Sequence, residues 1–310
     1  MHLLIPFASA LSDASMHTVR DLTLSNLTAL LAAMTPAARI GTDEYSLTPP
    51  HERALADAFG WRGDDGALPW AARQAQADGV AIGDLPWGLL TPVHWHVGRD
   101  HITLADPSAL NLSDEESRQF LDAIRHLFES EGWTLAYGAP TRWYAAHDTL
   151  AGLPCASLDR VIGRNVDLWL ANHPQARLIR RLQNEVQMLL YTHPLNDERE
   201  ARGELPVNSF WLSGCGTAQA VANAAGIQVD DTLRAPLLAE DWAGWADAWR
   251  ALDAGPLAAW SARSRRGEAA SLTLCGERHA QRFDHVPRSA WQRLAGLGRR
   301  TPVHTILESL

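Results

Sequence analysis

The chain has 310 residues, 46% hydrophobic and 20% charged, enough for one large core or two modest ones. Its net charge of −9 and pI near 5.8 argue against a phosphate-neutralising nucleic-acid surface, since the arginines are scattered among acids rather than gathered in a stripe. All 27 basic residues are arginine, which excludes Schiff-base and lysine general-base chemistry, although codon bias in a GC-rich genome produces the same absence of lysine.

The opening residues Met1 to Ala10 lack a basic flank, and no stretch reaches the roughly 18 apolar residues that a membrane span needs. A cytoplasmic protein with no membrane contact is the expectation. His2 to Ala8 reads as a buried strand ending at Pro6, and Leu22 to Met34 as a helix with Leu24, Leu27, Leu30 and Leu31 on one face. Leu47-Thr48-Pro49-Pro50-His51-Glu52-Arg53 leads into a helix over Ala54 to Phe59, where His51 and Glu52 serve either as a helix-start cap or in binding. A further helix is expected over Pro69 to Asp78.

Leu89 to Ala105 reads as two strands joined by Gly98-Arg99-Asp100, with His94 and His96 on one face and His101 opening the second strand. Three readings of these histidines stay open: satisfied hairpin residues, a pocket wall, or a zinc site completed by Asp100 or Asp106. Leu112 to Gly132 is a helix with Ser113 and Glu116 spaced as a capping box. Strands follow at Trp133 to Tyr137 and Thr141 to Ala146, and the mid-strand Arg142 requires a carboxylate such as Asp159, or a bound anion. Pro154 to Gly163 is a turn carrying Ser157, Asp159 and Arg160 ahead of Arg164.

Cys155, Cys215 and Cys275 are odd in number and include no C-x-x-C pair, which disfavours a disulfide framework or zinc ribbon and fits a reducing cytosol. Pro174 to Tyr191 shows helical periodicity and delivers its C-terminal end to the loop His193-Pro194-Leu195-Asn196-Asp197-Glu198-Arg199. Phe210 to Leu212 reads as a buried strand, after which Gly214 and Gly216 turn into a small-residue helix running through Ala225. Such a turn would present backbone N–H groups to an anion, though any α/β unit is wired the same way. Beyond it come a strand at Ile227 to Leu233, an amphipathic helix marked by Trp242, Trp245 and Trp249, a last strand at Ala270 to Cys275 and a last helix at Pro287 to Leu297.

The block from His193 to Gly216, with His193, Pro194, Asn196, Arg199, Gly203, Pro206, Asn208, Leu212, Gly214 and Gly216 in register, resembles the signature of archaeal-type cofactor-independent phosphoglycerate mutases of the alkaline phosphatase superfamily. Leu112 to Glu116, Gly138 to Trp143 and Ser157 to Arg164 extend the resemblance upstream. From its opening residues onward, the whole chain is still more similar to the bacterial regulatory protein RpfE family.

This resemblance implies an α/β fold with an alkaline phosphatase-like central sheet flanked by helices, core segments at 1–87 and 173–310, and a smaller α+β insertion at 88–172. It also implies a ligand-binding set of Arg142, Asp159, Arg164, His193, Asn196, Arg199 and Asn208. The chain departs from the enzymes where they carry a metal-binding aspartate after the first strand, since Ile5-Pro6-Phe7-Ala8 stands there. The nucleophile position holds Pro50-His51-Glu52, with Thr48 the nearby hydroxyl, and the late Asp/His ligands have no counterpart at the expected spacing.

The expectation is therefore a catalytically degenerate regulatory protein without metal or cofactor, binding a small phosphorylated or carboxylated metabolite or a protein partner. The alternative is an active metal-dependent mutase or phosphohydrolase with relocated ligands such as His51, Glu52, His94, His96 or His279.

Overall fold

The computed structural model describes residues 1–170, 172–222, 226–266, 268, 270–285 and 301–310. The architecture is α/β, in two compact units: Met1–Tyr45, Pro49–Gly60 and Val221–Leu310 form the first, and Ser46–Thr48 with Trp61–Ala220 the second. The second unit is wider than the 88–172 insertion expected from the sequence. Its sheet and core include the strand and helices that follow residue 173, so they pack within it.

The first unit is built on β1 (His2–Ile5), whose Leu3, Leu4 and Ile5 are buried. An uninterrupted apolar strand must be covered on both faces, and β1 lies inside a five-stranded sheet. The sheet's order is β2 (Met34–Gly41), β11 (His279–His285), β10 (Ser271–Cys275), β1 and β9 (Ile227–Val229). Strand β1 runs parallel to β9 and β10, while β11 is antiparallel to β10 and β2. Two of these strands were not anticipated. Strand β2 is mostly exposed, and β11 lies beyond the expected last strand, so neither shows the buried period on which sequence reading relies.

Helices α1 (Asp13–Asp21), α2 (Ser25–Ala33) and α3 (Pro50–Phe59) belong to this unit, with α9 (Arg234–Leu238), α10 (Trp242–Leu252), α11 (Ala258–Arg265) and α12 (Val303–Glu308). The tryptophan spacing in α10 has the expected meaning. Trp245 and Trp249 are fully buried, and Trp245 Nε1 donates to the Phe7 carbonyl at 3.1 Å. Truncating either to alanine removes a large core side chain and costs about 3–5 kcal/mol. Helix α2 has no side-chain cap of its own; instead Asp253 accepts from Asn26 N at 3.2 Å and Leu27 N at 2.8 Å. The helix expected at Pro287 to Leu297 lies outside the described residues.

The second unit has an antiparallel sheet in the order β6 (Thr134–Ala139), β7 (Arg142–Ala146), β3 (Trp87–Val93) and β8 (Ser209–Gly216), with a separate hairpin of β4 (Trp95–Val97) and β5 (Ile102–Leu104). Its helices are α4 (Trp70–Ala77), α5 (Asp114–Glu129), the single-turn α6 (Leu158–Val161), α7 (Ala176–Tyr191) and α8 (Pro194–Ala201). The apolar faces of α5 (Phe120, Leu121, Ile124, Phe128) and α7 (Ile179, Leu182, Val186, Leu190) join one cluster with Leu90, Trp143 and Phe210 of the sheet. The expected capping box is present, with Ser113 Oγ accepting from Glu116 N and Glu116 accepting from Ser113 N, both at 3.1 Å.

His2 gives the first unit a pH dependence. Burial, reinforced by the Arg282 charge and opposed by Asp284, lowers its pKa from the ordinary 6.5 to about 4, and its Nε2 lies 2.7 Å from Thr273 Oγ1. The unfolded chain therefore binds more protons in that window, so the contribution is complete above pH 6.5 and lost as pH falls toward 4. Replacing His2→Asn should leave a smaller loss of stability over the same interval, as measured by urea unfolding above pH 6.5 and near pH 4. Equal losses in the two proteins would refute this assignment.

Candidate ligand site

The block around His193 is not a loop. Residues Pro194 to Ala201 form helix α8, started by the His193 ring, which accepts from Leu195 N at 3.3 Å and packs on Phe120 with ring centroids 5.5 Å apart. Sequence periodicity missed α8 because the helix is short and largely polar.

Asn196 donates from Nδ2 to the carbonyls of Leu190 (2.9 Å) and Val207 (2.8 Å), and its Oδ1 accepts from Val207 N at 2.9 Å. That pattern closes the chain between α7 and β8 as a backbone pairing would. Asn208 does the same for Trp95, accepting from its N at 2.7 Å and donating to its carbonyl at 2.9 Å.

Arg199 is 0% exposed. Its guanidinium donates to the carbonyls of Leu205, at 3.0 Å, and Leu110. Nη1 lies 3.1 Å from Glu116 as an ion pair without hydrogen-bond alignment, and 3.4 Å from Glu204. Glu116 also receives Arg202 at 2.5 Å. Burial pushes the Glu116 carboxyl up, but the Ser113 backbone and hydroxyl donors, with Arg199, outweigh it and hold the acid below its ordinary value. Sequence reading took Glu116 only as a capping residue; its second role depends on α8 arriving beside α5.

Arg142 meets Asp78, not Asp159. The pair is bidentate, Nε to Oδ2 at 2.8 Å and Nη2 to Oδ1 at 2.9 Å, and Tyr144 donates to the same carboxylate at 2.5 Å. Hydrogen bonding from Arg142, then from Tyr144, holds Asp78 low against its burial, while burial and the Asp78 carboxylate push the Tyr144 phenol up. A Cβ at Gly138 would stand 2.4 Å from Asp78 Oδ2, so this glycine provides the space that the carboxylate occupies.

The glycines of the block have a similar explanation. Gly214 and Gly216 lie in β8 beside a register shift against β3, and the expected small-residue helix is not formed over 217–222. At φ +64°, Gly214 brings β8 so close to the start of α4 that a Cβ would lie 2.9 Å from Ala71 N. The bend therefore packs a helix onto a strand and does not open an anion-binding helix terminus.

Arg142, His193, Asn196, Arg199 and Asn208 are thus all taken up by partners inside the second unit. Asp159 and Arg164 lie at the turn beginning with Ser157, whose Oγ accepts from Asp159 N at 3.4 Å to start α6. The turn is fastened on several sides. Ser157 N donates to Leu47 O (2.9 Å), Leu47 N and Thr48 N donate to Asp65 (2.7 and 2.9 Å), and Thr48 Oγ1 accepts from Gly66 N (2.7 Å). Gly163 N donates to Leu104 O at 2.9 Å, joining the turn to the β4–β5 hairpin. Arg160, only 2% exposed, donates to Ser46 Oγ at 2.8 Å. Arg160 and Ser46 are the residues that sequence reasoning did not select; a second arginine one residue after Asp159 was the available cue. Chemically, the turn places carboxylate, hydroxyl and two guanidinium groups within one short stretch, a composition suited to an oxyanion ligand.

In the hairpin, His94 Nδ1 lies 2.9 Å from the Pro206 carbonyl, and the His94 and His96 rings are 6.4 Å apart.

Over 214 residues the chain is 26% identical to the 2,3-bisphosphoglycerate-independent phosphoglycerate mutase of Methanosarcina mazei, covering 63% of this chain and 51% of that protein. It is 25% identical over 126 residues to the probable 2,3-bisphosphoglycerate-independent phosphoglycerate mutase of Geobacter sulfurreducens, covering 40% of this chain and 32% of that one. The matches span about half, or less, of the length of these curated relatives. No family model matches. Among solved structures, the cofactor-independent phosphoglycerate mutase of Thermoplasma acidophilum aligns over 99% of this chain and 98% of its own, at 14% identity and a TM-score of 0.39. The chain is related to cofactor-independent phosphoglycerate mutases at low identity. Among the described residues no helix is long and apolar enough to cross a membrane.

Two substitutions test the architecture of the block. Arg199→Ala leaves two buried carbonyls without their donor and takes one cation from Glu116, and should lower stability by about 3–5 kcal/mol in denaturant titration. A change below about 1 kcal/mol would show that the buried guanidinium is dispensable. Gly138→Ala drives a methyl group into Asp78 and Tyr144, and should cost about 1–3 kcal/mol on the same measurement. An unchanged midpoint would remove the close-approach explanation.

Proposed function

We propose that the protein is a phosphoglycerate mutase-like regulatory protein of the RpfE kind, which holds a small phosphorylated or carboxylated metabolite without transferring a phosphoryl group. The observation that carries this reading is the Ser157–Arg164 turn, where Arg160 is held inside the second unit on Ser46, with Asp159 and Arg164 on either side of it. Arg160 and Arg164 would grip the anionic group, and Asp159 would accept from a ligand hydroxyl. Asn196, Asn208, His193 and Arg199 build the wall that positions β8.

Absence of phosphoryl transfer is supported by the end of β1. The enzymes have an acid there, whereas this chain turns through Pro6 and Phe7, and Phe7 adopts φ +57° with its ring 4.9 Å from His51. A phenyl group supplies no ligand for a divalent cation. One feature of the first unit favours the alternative, a metal-dependent enzyme. His51 and Glu52 stand together, half-buried, in the first turn of α3, and both are residue types that ligate metals.

Thermal unfolding with 3-phosphoglycerate, glycerate and inorganic phosphate tests the reading. A ligand near one hundred times its Kd adds about 2.7 kcal/mol, so the wild type should melt several degrees higher with 3-phosphoglycerate. Arg164→Gln should lose that shift, measured against its own unliganded melting point. A flat wild-type response removes the ligand assignment. Two equivalents of manganese or zinc by elemental analysis, with turnover of 3-phosphoglycerate, would replace it with the enzymatic reading.

A further inference from the structure

We propose that Cys155 and Cys215 form an oxidant-responsive modification site, in which a small hydroperoxide entering an apolar recess closes them into a reversible intramolecular disulfide. In sequence the two are 60 residues apart, but in the structure their sulfurs lie 3.6 Å from each other, inside one unit. Cys155 is 5% exposed and Cys215 is fully buried. One route of access is visible at Cys155. Cys155 lines a recess that opens to solvent and is walled by Trp169, Ile179, Phe210, Trp211 and Leu212. Cys215 is not among the residues lining it. A reagent therefore meets Cys155 first, with Cys215 behind it as the resolving thiol.

The chemistry balances with the hydroperoxide as oxidant. The Cys155 sulfur attacks the terminal oxygen, an S–O bond forms as the O–O bond breaks, and the leaving alkoxide takes the thiol proton as alcohol. Cys215 sulfur then attacks Cys155 sulfur, the S–S bond forms as the S–O bond breaks, and water departs with the second proton. Two thiols and one hydroperoxide thus give one disulfide, one alcohol and one water. With its partner in contact, the sulfenic acid condenses before a second peroxide carries it to sulfinic acid. The hydrogen bond with Cys155, and then burial, push the Cys215 thiol up, which slows the resolving step.

Closure requires the sulfurs to approach from 3.6 Å to about 2.05 Å. Hydrogen bonds already anchor the segment that carries Cys155. Trp211 Nε1 donates to Ala156 O at 2.9 Å, and Cys155 N donates to Gly66 O at 3.0 Å. The bond would tie β8 covalently to the segment that leads into Ser157. Cys275, buried in the other unit with a thiol raised by burial, serves as an internal control.

Treating the folded full chain with hydrogen peroxide, alkylating it in denaturant and digesting it without reductant should recover a linked Cys155–Cys215 peptide pair from most molecules. Dithiothreitol should reverse the link, and Cys275 should remain free. In Cys215→Ser the sulfenic acid on Cys155 should persist and be captured by dimedone. Recovery of both wild-type cysteines as free thiols, or of sulfinic Cys155 without a link, overturns the proposal. Should the variant fail to fold, stoichiometric phenylarsine oxide on the wild type decides the matter. Blocking both thiols together supports a paired site, and binding only after denaturation overturns it.

Discussion

A guanidinium with no exposed surface is the constraint on which the second unit depends. Arg199 cannot lose its charge, so the structure must surround it with acceptors, and it finds two carbonyls, Glu116 and Glu204. Those acceptors come from three places in the chain. Satisfying one cation therefore fixes the start of α5, the turn before it, helix α8 and the run into β8. Glu116 does double duty, capping its own helix and neutralising another, which couples a local signal to a tertiary contact.

The rest of the His193–Gly216 block acts in the same way. Asn196 and Asn208 replace missing backbone pairings, and Gly214 removes the Cβ that would separate α4 from β8. A set of polar residues that resembles a ligand-gripping signature is used here to hold a framework rigid. The Ser157 turn, where we place the proposed ligand, is tied to that framework through β8 and Trp211. Buried polar networks of this sort are costly when incomplete and specific when filled. Asp78, shared by Arg142 and Tyr144 in the space beside Gly138, is a second example at the far edge of the same sheet.

The first unit follows a different logic. Its core is apolar and aromatic, with β1 in the interior of the sheet and the α10 tryptophans packed in the same cluster. Polar groups enter it to finish local structure, as Asp253 does when it caps a helix that its own sequence leaves uncapped.

Period and cap chemistry are properties of neighbouring residues, and on that ground the sequence alone determined much. The α5 capping box, the amphipathic α7 and α10, the buried β1 and the β4–β5 hairpin were legible because each is decided within a dozen residues. The exposed β2 and the late β11 were not, for their formation rests on hydrogen bonds to partner strands distant in the chain, and the short α8 was not because it is largely polar. The same division runs through the site. Its mid-strand place marked Arg142 as a charge that must find a partner, and the family resemblance set Asn196 and Arg199 among ligand-binding residues, but a charge does not name its counter-charge. Only the tertiary structure decided that Arg142 would meet Asp78, that Arg199 would meet Glu116, and that two cysteines 60 residues apart would touch. The physical reason is that burial, which makes an ion pair or a thiol contact consequential, is created by the packing of whole elements and is written in no single stretch of the chain.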